Sequence, residues 1–96
     1  MFEISFDPAK NERNILERGL PFILVEDFDW ESALIFRDDR RNYGEPRFKA
    51  LGYLLRRLHV LVYTPRFPAI HVISLRKANQ REVKFHDQET QSRNDR

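Results

Sequence analysis

FKALGYLLRRLHVLVYTPRFPAIHVISLR, residues 48–76, decides the fold. It holds three runs rich in Val, Ile, Leu and aromatic residues, broken by Arg56–Arg57 and by a segment with two prolines. Such runs read as strands, and a two-residue break between them reads as a hairpin. The spacing predicts strands FKALGYLL and LHVLVYT joined through Arg56 and Arg57. TPRFPA forms the next turn, bracketed by Pro65 and Pro68, and AIHVISLR forms a last strand. Connections this short cannot hold crossovers, so the expected sheet is mostly antiparallel.

Upstream, FEISFD alternates Phe2, Ile4 and Phe6 against polar residues, the period of a half-buried strand. Asp7 and Pro8 supply an N-cap and a first-turn proline, and Gly19 a C-terminal stop, so residues 8–18 form a short helix anchored by Ile15 and Leu16. Phe22, Val25 and Phe28 then predict a second short helix. ALIF is a strand, and RDDRRNYGEP is a loop carrying turn chemistry. Asn79 and Glu82 have capping-box spacing and start a final helix, residues 79–89, with Val83 and Phe85 as its apolar anchors. The expected fold is therefore α+β: a mostly antiparallel sheet, two short N-terminal helices and a C-terminal helix. Residues 1–89 make the single domain and 90–96 a polar tail.

Of the 96 residues, 41% are hydrophobic, eight of them Phe, which suffices for one core. There is no Cys, which removes disulfides, zinc–thiolate sites and thiol catalysis. No apolar run is long enough to span a membrane and no secretory pattern opens the chain, so a cytoplasmic protein is expected. Charge is polarised: residues 1–45 carry 6 Lys/Arg against 11 Asp/Glu, a balance of −5, and residues 46–96 carry 11 against 4, a balance of +7. A basic surface from the second half suits phosphates; two solvated faces are the competing reading.

FDPAKNERN (6–14), GEPR (44–47), VYTPR (62–66) and ISLRKANQRE (73–82) resemble, in order, the BrnT toxins of bacterial type II toxin–antitoxin pairs. The resemblance implies a small ribonuclease with a RelE-like fold that inhibits translation. It also implies a BrnA-type antitoxin with a ribbon-helix-helix part, through which alone the pair would meet operator DNA. Two positions depart from the family pattern. Glu17-Arg18-Gly19 stands where Lys-His-Gly is usual, which removes an imidazole, and His86 stands where Tyr is usual, which supplies a group that exchanges protons near neutrality.

Metal-independent RNA cleavage needs a base for the 2′-hydroxyl, an acid for the leaving 5′-oxygen and cations for charge on phosphorus. On strand alternation Arg76 shares a face with Ile70, Val72 and Ser74 and emerges at the strand's end, where a preorganised guanidinium would sit; a salt bridge to an internal carboxylate competes with that role. Glu82 and His86, four apart on a helix, form a candidate acid pair, although Glu82 also completes the cap. Glu45 is the candidate base, with Arg66 beside it. Arg76, Glu45, Arg66, Glu82 and His86 are thus the catalytic candidates, expected to converge on one phosphodiester. Arg47, Lys49, Lys77, Arg81 and Lys84 are candidate RNA contacts, and Tyr43 and Phe67, in loops, candidate stacking residues. His59 and His71, within strands, read as hydrogen-bonded core or edge residues. EDFDWE, residues 26–31, lacks the Gly and ligand spacing of a calcium loop; Glu26, Asp27 and Trp30 read instead as a surface for a basic partner. No cofactor or metal is expected. The alternative function is a noncatalytic RNA- or protein-binding module of the same fold.

Overall fold

In the computed structural model, which describes residues 3–94, β-branched and aromatic alternation produces β3 (Phe48–Leu54), β4 (Arg57–Arg66) and β5 (Ala69–Lys77), paired antiparallel in sequence order. β2 (Leu34–Arg37) adds antiparallel to β3, and β1 (Glu3–Phe6) adds parallel to β5, giving the order β1-β5-β4-β3-β2. The α+β class stands. The sheet, however, is mixed rather than mostly antiparallel. Short connections dictate only the pairing of later strands, whereas β1 meets β5 across more than sixty residues of chain, a distance that leaves direction open. Phe2 of the expected first strand lies outside the described residues.

The helices also differ from expectation. α1 (Pro8–Arg18) starts on Asp7, whose side chain accepts from Ala9 N at 2.9 Å, and stops at Gly19 with φ 69°. The second short helix is present as a 3-10 helix, Phe22–Asp27. Its apolar spacing of three, Phe22, Val25 and Phe28, matches the three residues per turn of that form, and all three are buried. α2 (Gln80–Asn94) opens with the expected capping box, Asn79 Oδ1 accepting from Glu82 N at 2.8 Å and Glu82 Oε1 from Asn79 N at 2.9 Å. It runs past residue 89 to Asn94, into the segment read as a tail.

Turn positions move by one residue. The β3–β4 hairpin turns at Leu55 and Arg56, not at Arg56 and Arg57, with φ of 52° and 64°. Both central residues of such a tight hairpin adopt positive φ to match strand twist, which neither side chain favours. The β4–β5 turn is Phe67–Pro68, and Pro65 lies inside β4. A proline fits there because β3 stops at Phe48, opposite Tyr63, so β4 needs no N–H on that side beyond it.

One face of the sheet buries Ala50, Leu61, Tyr63, Ile70, Val72 and Leu75 against Leu20, Phe22, Val25 and Phe28. Gly52 lets Phe28 lie on the strand, since a Cβ there would stand 2.6 Å from the ring. The other face carries Leu34, Leu51, Leu58 and Val60 with Ala78, beneath α2. A β-bulge determines which residues of β5 belong to which face. Val62 pairs with Ser74 but Tyr63 with Val72, so Ile73 is an extra residue that shifts the pleat. Leu75 therefore joins Ile70 and Val72 in the core. Ser74 and Arg76 turn to the α2 side, which corrects the reading that put Arg76 on one face with Ile70 and Val72.

Past the bulge β5 loses its partner, since β1 pairs only as far as Val72. Asn14 of α1 takes over. Its Nδ2 donates to Leu75 O at 3.0 Å and to Leu20 O at 2.8 Å, and its Oδ1 accepts from Leu75 N at 3.5 Å. The buried anchor of α1 is thus this amide, while Leu16 is exposed. Asn11 Oδ1 likewise accepts from Phe22 N at 2.8 Å. Among the described residues no helix is long and apolar enough to cross a membrane.

Replacing Asn14 by Ala strands the buried backbone groups of Leu75 and Leu20, and is expected to destabilise the protein by about 2–3 kcal/mol in urea unfolding. Leu55→Asn combined with Arg56→Gly relieves the positive-φ turn and is expected to stabilise by about 1 kcal/mol in the same assay.

Candidate nucleic-acid interface

Strand register arranges the cations of the α2-side face. Leu34, Leu51, Val60 and Arg76 form one cross-strand row, and Phe36, Lys49, Val62 and Ser74 the next. Ser5, His71 and Thr64 form a third. Arg47, one residue before the Phe48–Tyr63 pair, falls beside Thr64, whose hydroxyl donates to Pro46 O. Arg66 follows at the end of β4. Arg76, Lys49, Arg47 and Arg66 thus step along β4 every second residue, at about 7 Å per step. The whole ladder spans roughly 20 Å of β4. That length corrects the expectation of convergence: Arg76 and Arg66 are at opposite ends of the face and cannot hold one phosphodiester.

Each terminal guanidinium already has a carboxylate. Arg76 donates from both terminal nitrogens to Glu82, at 2.8 and 2.9 Å, and from one of them to Lys77 O at 3.3 Å. Its Nε–H has no partner among the described residues. The pair is partly exposed, 36% for Arg76 and 19% for Glu82. Hydrogen bonds from Arg76 hold the Glu82 carboxyl below its ordinary value. At the far end Arg66 donates to Glu45 at 2.6 and 3.2 Å and depresses its pKa in the same way. A carboxylate held so firmly in its charged form is a poor proton acceptor near neutrality, which weighs against Glu45 as the base.

Glu82 does not pair with His86. His86 is buried, 2% exposed, with Nε2 2.9 Å from Ser32 O and its ring edge-on to Tyr53 at 5.3 Å. A carbonyl only accepts, so Nε2 carries a proton and the ring serves as an anchor of α2. Phe85 adds a second anchor against Phe36, ring centroids 5.9 Å apart. His86 is thus better buried than Val83 or Phe85, the anchors that spacing predicts, and this turns a different face of α2 to the sheet.

The remaining candidates divide. Arg81 joins Lys49, Glu82, Phe36 and Phe85 around a groove of about 520 Å³ between α2 and the sheet. Lys77, next to Arg76 in a pleated strand, points to the opposite face, and Lys84 lies with Arg57 and Asp87 on another side of α2. Tyr43 is covered by the Arg47 guanidinium, 3.6 Å from its ring centre. Phe67 is 81% exposed beside Arg66. In the loop, Arg40 hydrogen bonds hold the Asp38 carboxyl down at about 2, and Arg37 pairs with Asp39 at 2.8 Å. Arg18 borders a cleft with Lys10, Arg13 and Ser74 at the edge of β5. Glu26 and Asp27 are exposed, but Trp30 packs on Phe28 and Tyr63 at 4.9 and 5.3 Å, within the chain's own core. His71, read from the sequence as a hydrogen-bonded strand residue, is one, with Nδ1 2.9 Å from Ser5 Oγ, but its place on the open face depends on pairing with β1 and Thr64.

A depressed carboxylate pKa gives stability that is complete above the unfolded value and lost as pH falls through the folded one. The hold of α2 through Glu82 is therefore expected to weaken in acid. Glu82→Gln should narrow the difference in urea midpoint between pH 7 and pH 3.

No curated protein matches this chain. The family model described as "Ribonuclease toxin, BrnT, of type II toxin-antitoxin system" matches residues 6–82. That span runs from the end of β1 to Glu82 and includes the whole cation ladder. The chain belongs to the BrnT family of type II toxin–antitoxin ribonuclease toxins.

Proposed function

We propose that this chain is a metal-independent endoribonuclease that cleaves RNA in the cytoplasm and inhibits translation, on a RelE-like fold. One observation carries the reading: Arg76, Lys49, Arg47 and Arg66 stand in steps of about 7 Å on a face that α2 covers only at one end. Such steps are comparable with successive phosphates of an extended strand, so a single strand of RNA lies along β4, from the groove beside α2 towards Phe67. Lys49 and Arg81 neutralise phosphates as mobile point charges. Arg76 and Arg66, held by Glu82 and Glu45, are preorganised and offer their remaining N–H groups to phosphate oxygens. Exposed Phe67 stacks a base next to Arg66. The ladder combines two cations paired with carboxylates, Arg76 and Arg66, with Lys49 and Arg47, which have none among the described residues, a set that stabilises charge on phosphorus directly.

Neutralisation falls to a BrnA-type ribbon-helix-helix antitoxin, which alone carries the pair to operator DNA. Glu26 and Asp27, on the face away from the ladder, suit a basic segment of that partner.

With purified protein and RNA in EDTA, fragments ending in 2′,3′-cyclic phosphate are expected, and Arg66→Ala and Arg76→Ala should each lower their yield. Binding of an all-2′-deoxy oligonucleotide, which cannot be cleaved, should weaken with salt, and Lys49→Ala should reduce the log–log slope by about 0.7, the share of one phosphate on a single strand. Salt-dependent binding with intact RNA would instead favour a noncatalytic module.

A further inference from the structure

The reaction needs a proton acceptor, and the depressed carboxyl of Glu45 is a poor one. Of the three imidazoles, two are used internally. His59 is 2% exposed with Nδ1 2.7 Å from Arg57 O, and His86 is equally buried against Ser32 O. His71 alone lies partly exposed on the open face, in the row Ser5–His71–Thr64, level with the Arg47 step of the ladder and one step from Arg66. Its Nδ1 is 2.9 Å from Ser5 Oγ, and its Nε2 has no partner among the described residues.

We propose that His71 is the catalytic base of this ribonuclease and that Ser5 positions it, an assignment that rests on the ribonuclease reading above. In the tautomer that acts as base, Nδ1–H donates to Ser5 Oγ, which orients the ring and leaves the Nε2 lone pair free for the substrate. Nε2 takes the proton of the 2′-hydroxyl as the 2′-oxygen forms its bond to phosphorus. The bond from phosphorus to the 5′-oxygen breaks, and that oxygen takes a proton from water. The products are a 2′,3′-cyclic phosphate and a 5′-hydroxyl, and the imidazolium returns its proton to solvent.

The charged surroundings fit this role. Burial is the first cause that lowers the His71 pKa, followed by Arg66; Lys10 of α1 acts in the same direction, and Glu45 and Asp7 oppose it. The ring is therefore neutral near pH 7 and able to accept. Arg66, one step along the ladder, supplies the cation for the phosphate whose neighbouring 2′-hydroxyl His71 meets.

The test is a pH–rate profile on an RNA oligonucleotide with a single ribonucleotide linkage. Wild-type kcat/KM should fall as pH drops through the His71 pKa. His71→Gln should lower kcat roughly 10²–10⁴-fold with KM changed little, and should abolish that acid limb. Ser5→Ala should move the limb and lower kcat less. Imidazole added to His71→Ala should restore part of the rate. Unchanged melting temperature and unchanged binding of the all-2′-deoxy oligonucleotide establish that each variant is folded. A His71→Gln protein that keeps both rate and acid limb overturns the assignment while leaving the ribonuclease reading in place. A folded wild type that cleaves nothing overturns both.

Discussion

One extra residue in β5, Ile73, sets the chemistry of the whole α2-side face. Without the bulge, strict alternation would put Ser74 and Arg76 among Ile70 and Val72 and would drive Leu75 out of the core. With it, Ile70, Val72 and Leu75 all reach the core face, and Arg76 crosses to the other. The bulge coincides with the point where β1 ends, so the backbone of Leu75 would be orphaned. Asn14 meets that need with both ends of its amide. The first helix, the sheet edge and the exposure of Arg76 are therefore one linked arrangement.

Charge on that face is organised by the same economy. Guanidinium groups left bare on a small domain repel one another, and here the two outermost each have a carboxylate. Glu82 also caps α2 through Asn79, so the helix start and the Arg76 orientation share one oxygen. The result is a surface with localised donors rather than a diffuse positive field, with Lys49 between the two ion pairs.

Much of the architecture was legible in the sequence where local chemistry decides it. The Asp7–Pro8 start, the Gly19 stop, the Asn79–Glu82 box and the strands of residues 48–76 follow from caps and alternation. What escaped is non-local. The direction of β1 depends on a partner far along the chain, and the bulge depends on pairing that alternation cannot register. Leu55 and Arg56 carry no turn signature, so the hairpin was displaced by one residue. The site suffered from the same gap: cations expected to meet at a point form a line, and the imidazole expected at the surface, His86, is interior while His71 is open.

Pro65 has an effect beyond accommodating the end of β3. Past Tyr63, β4 presents a rim with no neighbouring strand, the kind of margin along which copies of a protein can stack into fibres. An imino acid there offers no donor, and the loop residue Pro46 takes the hydroxyl of Thr64 instead. The border of the sheet nearest the cations thus gives a neighbouring copy no N–H at residue 65, which disfavours strand pairing along the surface that holds the ladder.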